Sequence, residues 1–289
     1  MATTPISEAD LILNPDGSIY HLNIRPEDLA ETVITVGDPD RVEAVSRCFD
    51  RIELKKGRRE FITHTGYIGE KRITVISTGI GTDNIDIVLN ELDALANVDF
   101  ATRLPKSRLT SLDIIRIGTS GTIQPDIPVG TVLASEYGLG LDALMHYYTS
   151  VPEPEEEELR QAVTAHLEVP GIAPYLTRAS SELLSVAGKG FQRGITVTAP
   201  GFYAPQGRRV RAAASVPDLI GKLNSFRLRD HRITNLEMET AGIYALARAL
   251  GHQALSVNAI LASRVRFEFT DHPEKIITET ITHVLDNIS

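Results

Sequence analysis

The chain has 289 residues, 42% hydrophobic and 23% charged, with 29 Lys+Arg against 38 Asp+Glu for a formal net charge of -9. Such proportions belong to a folded globular protein, and the length suits one large α/β domain or two small ones. The acidic balance gives no bulk attraction to nucleic acid or to an anionic membrane, and a single cysteine, Cys48, excludes an intrachain disulfide and a cysteine-cluster metal site.

The opening stretch, MATTPISEADLILNPDG, has no basic n-region and no apolar run, so no secretory signal is expected there. With no apolar run of ~18 residues anywhere, no membrane span is expected, and a cytoplasmic location is the default. TVITV (32–36) predicts a buried strand, followed by Gly37 and a helix through Arg41, Val42, Val45 and Phe49. RITVIST (72–78) predicts a second strand, and Ile85, Val88, Leu89, Leu92, Leu95 and Ala96 then recur at helical spacing. LDIIRIG (112–118), TVLAS (131–135) and GITVTA (194–199) read as further strands. VPEPEEEELR (151–160) reads as a surface linker that starts a helix, with its glutamates at the favourable N-terminal end. ITNLE (233–237) is a strand leading into METAGIYALARALG, a helix capped by Gly251. ALSVNAILAS (254–263) is a long buried strand, and a last helix runs from about Glu274 to Leu285. Strands alternating with helices predict an α/β fold with a parallel or mixed sheet and helices on both faces. No composition shift marks a boundary, so a single domain over 1–289 is expected, with 1–19 as an N-terminal extension.

Ligands of α/β sheets bind beyond the carboxyl ends of strands, where glycines let the backbone approach. Four such places stand out. In GDPDR (37–41), Asp38 and Pro39 open a helix whose backbone N–H groups, with Arg41 one turn in, make an anion pocket. An ordinary capped helix with a solvated arginine explains the same residues and is favoured for this motif alone. STGIGTDN (77–84) lies where a dinucleotide fingerprint would, but Asn84 takes the third glycine position, so a structural turn is favoured. In RIGTSG (116–121), Arg116 sits inside an apolar strand and must meet either an anion or an internal carboxylate. NLEMET (235–240) sets Glu237 and Glu239 at a strand-to-helix junction, where they can accept from vicinal hydroxyls or cap the helix. KKGRREF (55–61) is a basic cluster with a solvated loop as its plain explanation. In TAPGFYAPQGRR (198–209), Phe202, Tyr203, Gln206 and Arg208 suit a planar heterocycle with carbonyl acceptors, though a Gly/Pro-rich surface loop would look alike. No His, Asp or Glu spacing matches a metal site and no nucleophile elbow is present.

Taken in order, YHLNI, GDPDR, RREF, STGIG, RIGTSG, FYAPQGR and NLEMETAGIYALA resemble the nucleoside phosphorylase-I family, and most of all its uridine phosphorylase-like branch, from about Tyr20 to Arg264. The resemblance implies a three-layer sandwich with a mixed, partly barrel-like central sheet flanked by helices. It implies a phosphate site of Gly37, Arg41, Arg116 and Thr119, with Arg59 reaching in from a neighbouring subunit. It implies a ribose site of Glu237, Met238 and Glu239, with His21 contributed across the same interface, and a pyrimidine site of Phe202, Gln206 and Arg208. The implied reaction is reversible phosphorolysis of uridine to uracil and ribose 1-phosphate, with inorganic phosphate as co-substrate and no organic cofactor. The implied partner is the chain itself, as a homodimer or homohexamer with shared sites. A monovalent-cation site of some relatives would map to Glu60, Ile80 and Asn84, where Asn84 stands for a serine.

Three other activities are weighed. A purine phosphorylase or nucleosidase of the same fold is the nearest. The run Ala262, Ser263, Arg264 lacks the aspartate of purine-selective relatives, and a nucleosidase would need a water-activating acid where this chain keeps three arginines. A nicotinamide dehydrogenase is disfavoured by the broken glycine fingerprint. A non-catalytic nucleoside-binding or storage protein is disfavoured by the full set of phosphate and ribose residues. Tyr147 and Tyr148, in the Met145–Tyr148 segment, are expected in the core or an interface.

Overall fold

The computed structural model describes residues 4–169 and 171–289; residues 1–3 of the expected N-terminal extension lie outside the described residues. Its strands of four residues or more are β1 (Thr32–Val36), β2 (Arg51–Arg58), β3 (Phe61–Ile68), β4 (Lys71–Ser77), β5 (Asp113–Thr122), β6 (Val132–Gly140), β7 (Tyr175–Arg178), β8 (Gln192–Thr198), β9 (His231–Glu237) and β10 (Gln253–Ser263). The helices are α1 (Pro39–Ser46), α2 (Thr82–Asn97), α3 (Pro154–Leu167), α4 (Ser181–Val186), α5 (Leu219–Ser225), α6 (Thr240–Leu250) and α7 (Pro273–Ile288).

The main sheet runs in the order β9, β8, β6, β10, β5, β1, β4, β3, β2, with β7 paired to β6. Both neighbours of β1 are parallel to it, and all five of its residues are buried. That is why it reads as an unbroken run of valine, isoleucine and threonine. β9 turns back to pair antiparallel with β5, Asn235 against Thr122 and Leu236 against Gly121. The sheet thereby closes on itself through β9, β8, β6, β10 and β5, a five-stranded barrel with an open wing of β1 to β4. The mixed, partly barrel-like sheet implied by the resemblance is therefore present.

Helices clothe the sheet. α6 buries Ile243, Tyr244 and Leu246, packs against α2, and ends on Gly251, whose φ of +85° provides the left-handed turn a helix stop needs. Ile85, Val88, Leu89, Leu92 and Leu95 of α2 are all buried, as their spacing predicts. A second apolar cluster lies under α3 and α5, around Leu159, Val163, Leu219 and Leu223. Among the described residues no helix is long and apolar enough to cross a membrane.

Two segments differ from expectation. KKGRREF is not a loop: it ends β2, forms the turn Arg59-Glu60, and enters β3 in a hairpin. β2 is the edge strand, and edges carry charge to avoid pairing with other chains, so the strand hides behind lysines and arginines. β5 continues four residues past Gly118 to Thr122. Its polar end is held on both sides, by β10 through Ser263↔Thr122 and by β9.

Candidate active site

A cavity of about 1050 Å³ opens beyond the carboxyl ends of β1, β4, β8, β9 and β10, along the last half of β5. Of the residues expected to bind ligand, Gly37, Arg41, Arg116, Thr119, Phe202, Gln206, Arg208, Glu237, Met238 and Glu239 all line it. So do Glu60, Ile80 and Asn84. They come from six separate stretches, which the fold alone brings together.

At one end stand Arg41 and Arg116. Asp38 caps α1 by accepting from the Asp40 N–H at 3.0 Å, which sets the pitch of the first turn and the direction of Arg41. Arg41 donates to the carbonyl of Ile117 at 3.5 Å and has no carboxylate partner among the described residues. Burial first, and then the charge of Arg116, pull its pKa below the ordinary arginine value. A desolvated, unpaired guanidinium facing a cavity is a strong anion receptor.

Arg116 is buried in full and doubly paired. Its Nη2 donates to Glu239 and lies 3.1 Å from Glu237 Oε2. Burial would lower its pKa, but the two carboxylates outweigh it and hold the charge on. The side chain folds back over Gly118, where an added Cβ would lie 1.7 Å from Nη1. The glycine of RIGTSG is thus needed for room, two residues along the same face of the strand. Of the two explanations weighed for Arg116, the internal carboxylate is present, and the same side chain also lines the cavity.

The two carboxylates differ. Glu237 accepts from Thr198 Oγ1 at 2.7 Å, from the Glu239 N–H at 2.9 Å and from the Thr240 N–H at 3.0 Å, as a cap of α6. Glu239 accepts from the Gly81 N–H at 2.7 Å and from Arg116, which leaves lone pairs on both oxygens. Burial pushes the Glu239 pKa up, against the pull of Arg116.

At the other end the loop after β8 turns Gln206 inward, where it is buried. Arg208 donates through Nη1 to Gln206 Oε1 at 2.6 Å and to the Phe202 carbonyl at 2.8 Å. Its guanidinium carbon lies 3.7 Å above the Phe202 ring centre. Burial, and then the neighbouring Arg264, bring the Arg208 pKa down to about 10. Arg264 is lowered by burial as well, and its Nε has no partner among the described residues. The cavity thus holds two arginine pairs, Arg41 with Arg116 and Arg208 with Arg264.

His21 and Arg59 are not brought into this cavity. His21 is held on α2, with Nδ1 2.6 Å from Glu91 Oε1 and its backbone N–H also on Glu91. Arg59 is exposed at the tip of the β2–β3 turn with a φ of +56°, a strained region for a residue with a side chain. Tyr147 is exposed and Tyr148 bonds Asp86 and Asn90; neither lines the cavity. Sequence reasoning passed over the Phe267–Phe269 stretch and used Arg264 only against purines; both line the cavity, as does Ser120 of RIGTSG. For Arg264 the signal was available, an arginine directly after a long buried strand.

The sequence matches the Phosphorylase superfamily over residues 31–287. A uridine phosphorylase of Thermococcus kodakarensis is 34% identical over 266 residues, 90% of this chain and 83% of that protein. A uridine phosphorylase of Haemophilus influenzae is 29% identical over 275 residues, 91% of this chain and 96% of that protein. A solved nucleoside phosphorylase of Trypanosoma brucei that shows uridine phosphorylase activity aligns with a TM-score of 0.87 at 30% identity, covering 96% of this chain and 99% of that one.

Proposed function

We infer that this chain, which belongs to the phosphorylase superfamily, catalyses the phosphorolysis of uridine to uracil and ribose 1-phosphate. The observation that carries the reading is one cavity holding two arginine pairs, with the Glu239 carboxylate bonded to one of them. A nucleoside and phosphate need that arrangement: cations for the dianion, a carboxylate for sugar hydroxyls, and donors for the base carbonyls.

In our reading Arg41 and Arg116 hold phosphate below the sugar, helped by the Thr119 hydroxyl and the backbone at Gly37. Glu239 accepts from the ribose hydroxyls and Met238 packs on the sugar. Glu237, whose oxygens are taken up by Thr198 and the start of α6, holds the site together instead of touching ribose. The bond from the anomeric carbon to uracil N1 stretches first, giving oxocarbenium character. The phosphate charge stabilises that cation, and a phosphate oxygen then bonds to the anomeric carbon. The electron pair of the broken bond goes to uracil, where Arg208 and Gln206 stabilise the charge on the carbonyl oxygens before N1 takes a proton. No covalent enzyme intermediate is needed.

The test is release of free base from uridine, thymidine and inosine, each with and without phosphate. We expect phosphate-dependent release from uridine. Release from inosine but not uridine would give the site to purines, release without phosphate would make the protein a nucleosidase, and no release would leave a binding protein.

Arg59 and His21 fit the same reading if each completes a neighbour's cavity, which makes a dimer the smallest active unit and a hexamer a ring of such dimers. The exposed Arg59 at a strained hairpin tip, next to cavity-lining Glu60, supports this. Mixing inactive Arg59→Ala and Arg116→Met chains should restore activity through hybrid sites. No recovery despite subunit exchange would refute sharing.

A further inference from the structure

A run of buried hydrogen bonds goes once around the inside of the barrel and takes in a side chain from every strand. Arg116 on β5 donates through Nη1 to Asn258 Oδ1 on β10 at 2.8 Å. Asn258 donates through Nδ2 to Ser135 Oγ on β6 at 2.9 Å. The hydroxyls of Ser135 and Thr196, the latter on β8, are 2.6 Å apart. Thr196 donates to Asn235 Oδ1 on β9 at 2.9 Å, and Asn235 donates through Nδ2 to Ser120 Oγ, back on β5, at 2.9 Å. All of these side chains are buried. The one hydroxyl proton of Thr196 goes to Asn235, so Ser135 is the donor to Thr196. Every bond then points the same way, from Arg116 to Ser120, and aligned bonds of this kind strengthen one another. Both ends of the run line the cavity.

The barrel does not need this belt to close, because backbone ladders join all of its strands. Buried polar groups are retained at a cost unless every one is satisfied. What the belt does act on is Arg116. Glu237 and Glu239 draw the guanidinium by Nη2, while Asn258 draws it by Nη1. We propose that Asn258, held by Ser135 and the rest of the belt, is a positioning residue for the phosphate site: it keeps Arg116 from collapsing onto its carboxylates and turns it toward the cavity. This rests on Arg116 being a phosphate ligand.

The test uses the full chain, Asn258→Leu and Ser135→Ala, with two readouts: KM for phosphate against KM for uridine, and the rise in Tm caused by inorganic phosphate alone. Loss of the acceptor for a charged donor should raise the phosphate KM by about tenfold or more in Asn258→Leu. Ser135→Ala, which leaves Asn258 in place but loosens it, should raise it by about threefold. The uridine KM should stay within roughly twofold in both, since a uniform structural defect would move the two together. The phosphate-induced Tm rise should shrink in the same order. A folded variant with an undiminished phosphate response, or with both KM values moved equally, overturns the proposal. Should Asn258→Leu not fold, Ser135→Ala decides on its own. A parent protein whose Tm ignores phosphate would remove the phosphate reading itself, a failure distinct from that of the belt.

Discussion

Replacing Arg116 by methionine should lower kcat/KM for phosphorolysis by at least about 10³-fold, since it removes a preorganised cation from beside the incoming phosphate. The same change should cost about 3–5 kcal/mol of stability, because Glu237 and Glu239 would remain buried without their cation. The pH dependence follows from Glu239. Burial already raises its pKa and Arg116 is the main force against that, so the variant's carboxyl rises further. A carboxyl with a raised folded-state pKa stabilises the fold at low pH and loses that contribution as pH climbs through the folded value. The deficit of the variant against the parent should therefore shrink as the pH is lowered from neutrality in denaturant titrations. A variant of parental stability, or a deficit that grows on acidification, would contradict the ion-pair account.

Arg208→Ala should lower kcat on uridine by about 10²–10³, the effect of removing one donor to a developing oxyanion. Nη1 is already committed to Gln206 and the Phe202 carbonyl, so Nη2 is left for a base carbonyl. With its pKa brought down to about 10 by burial and by Arg264, the guanidinium stays charged at neutral pH while partly withdrawn from water. That strengthens its action on a neighbouring charge relative to bulk water. Arg208→Lys should recover little, because an ammonium cannot keep the stacked, planar contact with Phe202. Uridine kinetics unchanged in Arg208→Ala would take this residue out of the base site.

Part of the fold was readable from residue pattern alone. β1 and β4 appear where their β-branched runs predict them, and α2 and α6 where apolar spacing and Gly251 predict them, whereas the hairpin of β2 and β3 was not read. The closure of the barrel carries no such pattern: its closing contacts, Asn235 with Thr122 and Leu236 with Gly121, mix polar and small residues, and nothing in ITNLE or RIGTSG marks the other as its partner. Only the family resemblance anticipated it. The site divides the same way. Glycine and polar clusters after strands marked the stretches that now meet, whereas the belt behind Arg116 could not be read, because Asn258, Ser135, Thr196 and Asn235 are polar residues scattered through largely apolar strands, far apart in the chain. His21 and Arg59, which only the resemblance assigned to the site, do not line the cavity of the single chain.

The most direct measurement of the central claim is phosphorus NMR of uridine and inorganic phosphate with the protein. Inorganic phosphate should fall in step with a sugar 1-phosphate ester, with free uracil rising in equal amount. Uracil appearing while inorganic phosphate stays constant would contradict the account.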